Sequence, residues 1–391
     1  MIKKNRIYIF LTIITMALLI WFTYQSMLSL GFEWTTAMSY EAIIKLAIDI
    51  MAVIVIIISV NRTQSGFSIL WLCWSIWLLI YVYIFGMGGR GVANLFHVTF
   101  CPMVFLLFYT MSLYCEKIKQ IGLMGFIIIY VIACYLNITN LTQILSVTLG
   151  EDSGVTNLVF WCLCALPFLL LFEKRWIQIV FLGATFIIVL LTGKRSAMIS
   201  MLLIFVVYLF FFSRGRHNIW GTCIVLGFII ALFFIVSHFF EGSYIGAVER
   251  MNSMKEDQGS GRIQIYVDVY RELKNNTLVD WIIGRGCNSI TLTRHSNAHN
   301  DALQMLFEFG FIGLLMYFVM IFHIIKRTII LHKAQSAYYL AYAASVIITI
   351  VLGLVSNLVV FYSYFAFICA FWGIVEARLV ADKQIKIVLI S

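Results

Sequence analysis

Three side chains in this 391-residue sequence combine reactive chemistry with a position beside a long apolar run: Arg195, Arg262 and His299. Arginine carries a planar, permanently charged guanidinium that binds phosphate or diphosphate through two parallel hydrogen bonds. The imidazole of histidine changes its charge near neutral pH, so small changes in its surroundings decide its protonation state. These residue types predict binding of an anionic phosphate or diphosphate group beside a titratable side chain.

The stretch "HNDALQMLFEFGFIGLLMYF" (299–318) carries polar groups into an apolar helix. Asp301, Gln304 and Glu308 fall within a narrow arc, because separations of three and seven residues are close to whole helical turns. His299 faces another way, and four residues share its line: Leu303, Leu306, Gly310 and Gly313. Small residues let a neighbouring helix approach closely. We therefore expect His299 at the outer mouth of a cleft between helices rather than as a solvated helix cap.

The composition is that of a membrane protein. Hydrophobic residues make up 62% of the chain and charged residues 12%, with a mean hydropathy of +0.98, whereas soluble proteins average about 25% charged residues. Most of the nine cysteines lie inside apolar runs, and their spacing shows neither a disulfide framework nor a CxxC metal site. The net charge of +9 would suggest nucleic-acid binding in a soluble protein. In a membrane protein the positive charges instead mark the sides of the membrane, so we expect no nucleic-acid partner.

Apolar runs long enough to span a bilayer, about 20 residues each, predict an all-α polytopic protein with about twelve transmembrane helices. The predicted spans are 7–30, 42–60, 67–85, 92–115, 121–138, 155–172, 176–192, 196–213, 219–240, 303–326, 337–357 and 359–377. The first run is too long for a signal peptide and has no small-residue cleavage site, so we expect it to be retained.

Positive charge alternates between the connections. Every second connection is basic, and its residues are Arg62, Lys117, Lys119, Lys174, Arg175, Arg214, Arg216, Lys326, Arg327 and Lys333. The positive-inside rule then places both termini in the cytoplasm. We expect spans one to nine in 1–240, an extracytoplasmic loop with short amphipathic helices in 241–298, and spans ten to twelve with a cytoplasmic tail in 299–391.

The extracytoplasmic loop contains two informative stretches. In "GRIQIYVDVYRELKNN" one helical face carries Ile263, Tyr266, Val267 and Tyr270, which predicts a helix on the outer membrane surface. In "QGSGR", Ser260 can cap that helix, so that a phosphate would meet the helix N-terminus and Arg262 together. An ordinary helical turn explains the second stretch equally well.

Cations on the outer side are rare and costly to desolvate, so they usually have a partner. Arg195 lies between two spans joined by only a few residues, which favours an anionic lipid headgroup over bulk water as its partner. On the second span Glu41, Lys45 and Asp49 follow one another at intervals of four residues and can neutralise one another along one face. A structural ion ladder and a substrate groove explain this last pattern equally well.

Three motifs, in this order, resemble the O-antigen polymerase and O-antigen ligase superfamily of bacterial membrane glycosyltransferases. "TGKRSAMISML" is similar to the family's T-x-S-R pattern, with Lys194 where serine is commonest. "GSGR" is similar to its loop arginine motif, and "IIGRG" (282–286) to its G-x-G element, without the proline that often precedes it. The stretch from His299 resembles the signature H-N-x-x-L-x-x-L-x-E-x-G-x-x-G-L. The resemblance covers roughly 176–322.

The resemblance implies a fold of the GT-C type and metal-independent, cofactor-free transfer of a glycan from an undecaprenyl diphosphate carrier at the outer face of the bacterial inner membrane. Arg195 and Arg262 would stabilise the departing diphosphate, and His299 would orient or deprotonate the acceptor hydroxyl. Six further residues are predicted to bind substrate: Arg90, Lys194, Arg285, Asn300, Asp301 and Glu308. Expected partners are the undecaprenyl-diphosphate-linked oligosaccharide, the lipid bilayer, a chain-length regulator and a flippase.

Within this superfamily the sequence favours a polysaccharide polymerase, which extends another lipid-linked repeat unit. A ligase that passes the glycan to a lipid core or protein is the nearest alternative. A flippase or other transporter is the alternative from another class, but transporters often show paired repeats. The sequence has a single copy of each motif and one large outer loop.

The alternating charge register predicts that residues 241–298 lie outside the cell. Ser260→Cys should therefore make intact cells react with a membrane-impermeant maleimide above the level of the parent protein. Labelling that appears only after lysis would contradict this topology, and the lysed sample is the control for reactivity.

Overall fold

The computed structural model describes residues 2–29, 37–59, 65–85, 91–147, 157–213, 227, 262–287, 289–294, 297–359 and 362–382. These residues form helices and contain no β-strand. In chain order the helices are α1 Ile2–Ser29, α2 Ala37–Ile58, α3 Gly66–Phe85, α4 Gly91–Tyr114, α5 Lys117–Val147, α6 Val159–Leu169, α7 Arg175–Thr192, α8 Arg195–Ser213, α9 Arg262–Leu273, α10 Leu278–Ile283, α11 Ser289–Arg294, α12 Asp301–Lys333, α13 Tyr339–Val355 and α14 Tyr362–Ala381.

The all-α polytopic membrane fold is confirmed. Among the described residues, five helices are long and apolar enough to cross a membrane: Asn5–Leu28, Lys117–Asn140, Arg175–Thr192, Asp301–Lys333 and Ser363–Ala381. Shorter apolar helices accompany them. Each predicted span coincides with an observed helix except 219–240, which lies almost entirely outside the described residues.

Helix α6 is shorter than predicted. The sequence predicts a span over 155–172, whereas the helix covers 11 residues, or about 16 Å at 1.5 Å per residue. Every residue of α6 is buried, because neighbouring helices surround it. An apolar run in the middle of a bundle need not reach both faces of the bilayer, and hydropathy alone does not distinguish it from a lipid-exposed span.

The bundle is built around α4 and α14. A Cβ added to Gly373 on α14 would lie 2.6 Å from the carbonyl oxygen of Phe105 on α4, so only glycine permits this backbone approach. A buried ion pair ties the last three helices together. The Arg327 guanidinium donates to both carboxylate oxygens of Glu376 at 2.8 and 2.7 Å, and the Tyr342 hydroxyl donates to the same carboxylate at 3.0 Å.

Helix α12 bends at Gly310, where φ is 64° and ψ is −162°. The section from 311 to 333 is about 34 Å long at 1.5 Å per residue and is sufficient to cross a hydrocarbon core of about 30 Å. The section before the bend, Asp301–Phe309, therefore need not enter the hydrocarbon. The predicted continuous line from His299 through Gly310 to Gly313 is wrong, because the bend interrupts the helical repeat.

Gly310, at the bend, makes room for the close approach of a loop rather than of a neighbouring membrane helix. A Cβ on Gly310 would lie 2.5 Å from the backbone of Ile282, and a Cβ on Gly284 would lie 2.2 Å from the Glu308 carbonyl oxygen. Backbone N–H groups of the loop fill the gap in the helix: Arg285 donates to the Phe307 carbonyl and Gly286 to the Glu308 carbonyl, both at 3.1 Å. The "IIGRG" stretch thus docks on the bend of α12 by backbone contact.

A small second core holds α9–α11 and residues 297–300 against α12; this part of the chain is called the outer segment after its predicted location. Its buried residues are Val269, Leu273, Ile290, Ala298 and Phe307. A helix, α9, is present where the sequence predicts an amphipathic helix. It packs on α11 and α12 through Val269 and Leu273, whereas Val267 and Tyr270 of the predicted membrane-facing side are exposed. Contact of that side with the membrane stays a prediction.

The bend predicts that Gly310→Ala is destabilising. The backbone conformation is one that essentially only glycine adopts, at a cost of about 1–3 kcal/mol for other residues, and the added Cβ would overlap the loop backbone. Thermal unfolding of the detergent-solubilised protein measures the loss. Gly66→Ala is the matched control, since nothing lies within 4 Å of its Cβ position. Unchanged stability of Gly310→Ala would show that α12 does not bend there.

Candidate active site at the N-terminal end of α12

The last two residues of α13 and the residues after it (354–359, called here the α13–α14 turn) organise the N-terminal end of α12. Asp301 is fully buried, and its carboxylate accepts hydrogen bonds from the N–H groups of Leu358 at 2.9 and 3.1 Å and of Val359 at 3.0 Å. These bonds satisfy a buried charge with backbone donors. The neighbouring Asn300 caps α12 by accepting from Leu303 N at 3.0 Å and donates to the Leu354 carbonyl at 3.2 Å.

Gln304 is the centre of a buried amide network one turn further along. Its Nε2 donates to Asn297 Oδ1 at 3.3 Å and to Glu308 Oε1 at 3.0 Å. Its Oε1 accepts from the backbone N–H of Ala298 at 3.2 Å and from Asn357 Nδ2 at 2.8 Å. The network therefore fixes the two residues that precede His299 to both α12 and the α13–α14 turn.

The tight turn between α7 and α8 is attached to the same place. Gly193 ends α7 in the left-handed conformation, with φ 60°, and the Lys194 carbonyl accepts the first hydrogen bond of α8. Ser196 joins the α13–α14 turn through a 2.9 Å hydrogen bond from Ser356 Oγ. The half-buried Lys194 and Arg195 therefore begin α8 directly beside the turn that holds Asp301.

Helix α9 places Arg262 at the same site. Arg262 is the first residue of α9, and one turn later the Tyr266 hydroxyl donates to the backbone carbonyl of His299 at 3.3 Å. The same hydroxyl lies 3.5 Å from the Leu354 carbonyl. Burial raises the pKa of Tyr266, and the positive charge of Arg262 opposes that effect. Arg262, Tyr266 and His299 thus form one local group. Ser260, the predicted cap of this helix, lies outside the described residues.

His299 lies where these elements converge. Its φ of 53° is a left-handed conformation that few non-glycine residues adopt, although histidine does so more often than most. Burial lowers the pKa of His299, and the positive charges of Arg262 and Lys194 lower it further. The imidazole is therefore held neutral near pH 7, which is the state that can accept a proton. The structure thus brings His299, Arg262 and Lys194 together, with Arg195 adjacent to Lys194.

Other predicted substrate-binding residues make contacts within the protein. The Arg285 guanidinium donates to the carbonyl oxygen of Glu272 at 2.8 Å and to its carboxylate at 3.4 Å, and it lies 5.0 Å from the ring centre of Phe307. Glu308 is fully buried and bonded to Gln304. These contacts give Arg285 and Glu308 structural roles, and their binding of substrate stays a prediction. Arg90 lies outside the described residues.

The charged positions on α2 also pair within the bundle. Lys45 lies 3.9 Å from Glu41 and within 5.4 Å of the ring centre of Phe22, and Asp49 accepts a 2.8 Å hydrogen bond from Thr99 on α4. Lys45 and Asp49 are buried, so these contacts favour the structural ion ladder over a substrate groove.

None of the sequence motifs included the α13–α14 turn. Its residues include Ser356 and Asn357, the latter with φ 59°, and they bond to α8 and α12. The available signal was a polar Ser–Asn pair between two apolar runs. Within the described part of the chain, no cluster of three or more His, Cys, Asp or Glu side chains is arranged to hold a metal ion.

Comparison with known proteins agrees with the motifs. The model of a family described as O-antigen ligase matches residues 179–318, which contain most of α7, then α8, the outer segment and the first half of α12. Comparison with curated proteins gave no significant match. The match covers every motif that indicated the resemblance, and it supports the assignment of residues 179–318 to the O-antigen polymerase and ligase superfamily.

Proposed function

We propose that this protein is a polysaccharide polymerase that transfers a glycan from undecaprenyl diphosphate to a sugar hydroxyl of another lipid-linked repeat unit. The family match over residues 179–318 points to an enzyme of the glycosyltransferase and ligase type. The observation that carries the proposal is the convergence of His299, Arg262 and Lys194: hydrogen bonds attach α9 to His299 and the start of α8 to the α13–α14 turn, and the two cations are among the causes that lower the pKa of His299. The donor, the acceptor and metal independence are parts of the proposal.

The cations suit the leaving group. Negative charge accumulates on the diphosphate as its bond to the anomeric carbon breaks, and fixed positive groups stabilise that charge without reorganising. Arg262 can bind two diphosphate oxygens in parallel, whereas Lys194 acts as a point charge. Arg195, next to Lys194 at the start of α8, is proposed to complete the diphosphate site.

The histidine suits the nucleophile. In the proposed reaction the acceptor hydroxyl attacks the anomeric carbon, its proton passes to the imidazole of His299, and undecaprenyl diphosphate leaves. Burial, and then the same cations that are proposed to bind the diphosphate, lower the pKa of His299 and keep it neutral, so the base is ready before the acceptor arrives. Asp301 and Gln304 take no part in proton transfer in this proposal, because backbone and amide groups already occupy their polar atoms.

A ligase is the second candidate, since the matching family model carries the description O-antigen ligase. Both enzymes use the same donor and leaving group, so residues around the diphosphate do not separate them. The acceptor does: a polymerase takes a second lipid-linked repeat unit, and a ligase takes a lipid core or a protein.

Purified protein in nanodiscs, supplied with one defined undecaprenyl-diphosphate-linked repeat unit, should produce a ladder of longer lipid-linked glycans. Arg262→Lys keeps the charge but loses the two-pronged contact, and should slow product formation by about 10²-fold or more. Transfer only when a lipid core or protein acceptor is added would identify a ligase. No transfer to any acceptor by well-folded protein would contradict the proposed activity.

The electrostatics of His299 predict a shift in pH dependence. Since a neutral imidazole is required, kcat/KM should fall at acidic pH with a midpoint below the ordinary histidine pKa of about 6.5. Lys194→Met removes a charge that lowers the pKa of His299, so the acidic midpoint should move to higher pH. His299→Gln should lower the rate by about 10²–10⁴-fold.

Lys274→Met is the matched control for this experiment, because Lys274 is an exposed lysine at the far end of α9. The acidic midpoint of kcat/KM for Lys274→Met should equal that of the wild type. A Lys194→Met profile that superimposes on both would show that Lys194 does not act on the ionising group. A near-normal rate for His299→Gln would show that His299 orients the acceptor without taking its proton.

A further inference from the structure

The short helix α10 exposes an apolar surface. Leu278 is 77% exposed, Val279 60% and Ile282 45%, whereas Trp281 packs against the small core of the outer segment. The N-terminus of α10 is polar and well formed. Thr277 and Asp280 cap it reciprocally, with bonds of 2.9 and 3.2 Å. The helix therefore has a defined conformation and presents three large aliphatic side chains away from the protein core.

This surface continues an apolar stripe on α12. The Trp281 ring stacks on the Phe311 ring with centroids 5.6 Å apart and an interplanar angle of 21°. Phe311 is 54% exposed, and the exposed apolar residues that follow it along α12 are Leu315, Phe318, Val319, Phe322, Ile325 and Ile329. Because α12 crosses the membrane, this stripe faces lipid hydrocarbon. Helix α10 lies at the outer end of the stripe.

The attachment of α10 to α12 is rigid. The chain leaves α10 through Gly284, whose backbone packs directly on Glu308, and the next two residues bond to the carbonyl groups freed by the bend. Arg285 also bonds to Glu272 of α9. The position of α10 relative to the bilayer therefore fixes the position of the bend and of α9, which begins with Arg262.

We propose that α10 is a membrane anchor, inserted into the outer leaflet through Leu278, Val279 and Ile282. The occupant of this surface is lipid hydrocarbon, because the surface is continuous with the lipid-facing stripe and ends in a tryptophan, a residue that favours the membrane–water interface. The polar side chains before α10, Lys274 and Asn275, are exposed and reach the headgroup layer. Insertion at this level sets the depth at which the outer segment holds the site, and it is independent of the proposed activity.

Photo-crosslinking tests the insertion. The photoreactive residue p-benzoylphenylalanine replaces Val279, with Ile282 as a second position in case one variant is unstable. Leu315 is the positive control, since it faces lipid on α12, and Asn275 is the polar control. After irradiation in nanodiscs of phosphatidylethanolamine and phosphatidylglycerol, mass spectrometry of the intact protein should show addition of one phospholipid. The yield at Val279 or Ile282 should approach that at Leu315 and clearly exceed that at Asn275.

A phospholipid yield at both α10 positions as low as that at Asn275 would overturn the proposal. The same variants irradiated in producing cells identify other occupants. An adduct with a second copy of the chain or with another protein, formed in place of the phospholipid adduct, would also overturn it. Since the measurement needs folded protein but no transfer reaction, an inactive enzyme with a phospholipid adduct at Val279 would refute the proposed function and support the anchor.

Discussion

A helix that bends at a glycine leaves carbonyl oxygens without helical partners, and at a bilayer the protein itself must bond them. At Gly310 the N–H groups of Arg285 and Gly286 bond the carbonyl groups of Phe307 and Glu308, and the Tyr81 hydroxyl of α3 also donates to the Glu308 carbonyl. The contact is possible only because Gly284 and Gly310 have no side chains. Through it, the bend fastens the outer segment to the membrane bundle.

The buried polar groups beyond the bend follow the same rule. Asp301 and Gln304 are fully buried, yet backbone N–H groups and side-chain amides bond them. Removing one partner from such a network leaves a desolvated polar group and costs about 1–3 kcal/mol. The network joins α12 to the α13–α14 turn, and a serine pair joins that turn to α8. Hydrogen bonding within the protein, rather than substrate binding, explains why most of the polar residues are present in this part of the helix.

The scaffold places two positively charged side chains and a histidine in one site. Arg262 comes from α9, Lys194 from the α7–α8 turn and His299 from the residues just before α12. Burial and then the two cations lower the pKa of the histidine. Cations beside a neutral base suit a reaction in which a diphosphate leaves while a hydroxyl loses its proton. The bonds around His299 hold it in a left-handed conformation, so the scaffold maintains a backbone geometry that histidine alone seldom adopts.

The sequence by itself determined the class of fold, the location of most helices and the resemblance to the superfamily, because a bilayer demands long apolar helices and the motifs around Arg195, Arg262 and His299 are local in the chain. The tertiary structure alone decided which polar groups bond to distant parts of the protein. Asp301 and Arg285 have partners on other elements, which no spacing along the chain specifies. It also placed Lys194 near His299 and bent α12 at Gly310, because electrostatic and steric contacts depend on distances in space between residues far apart in the sequence.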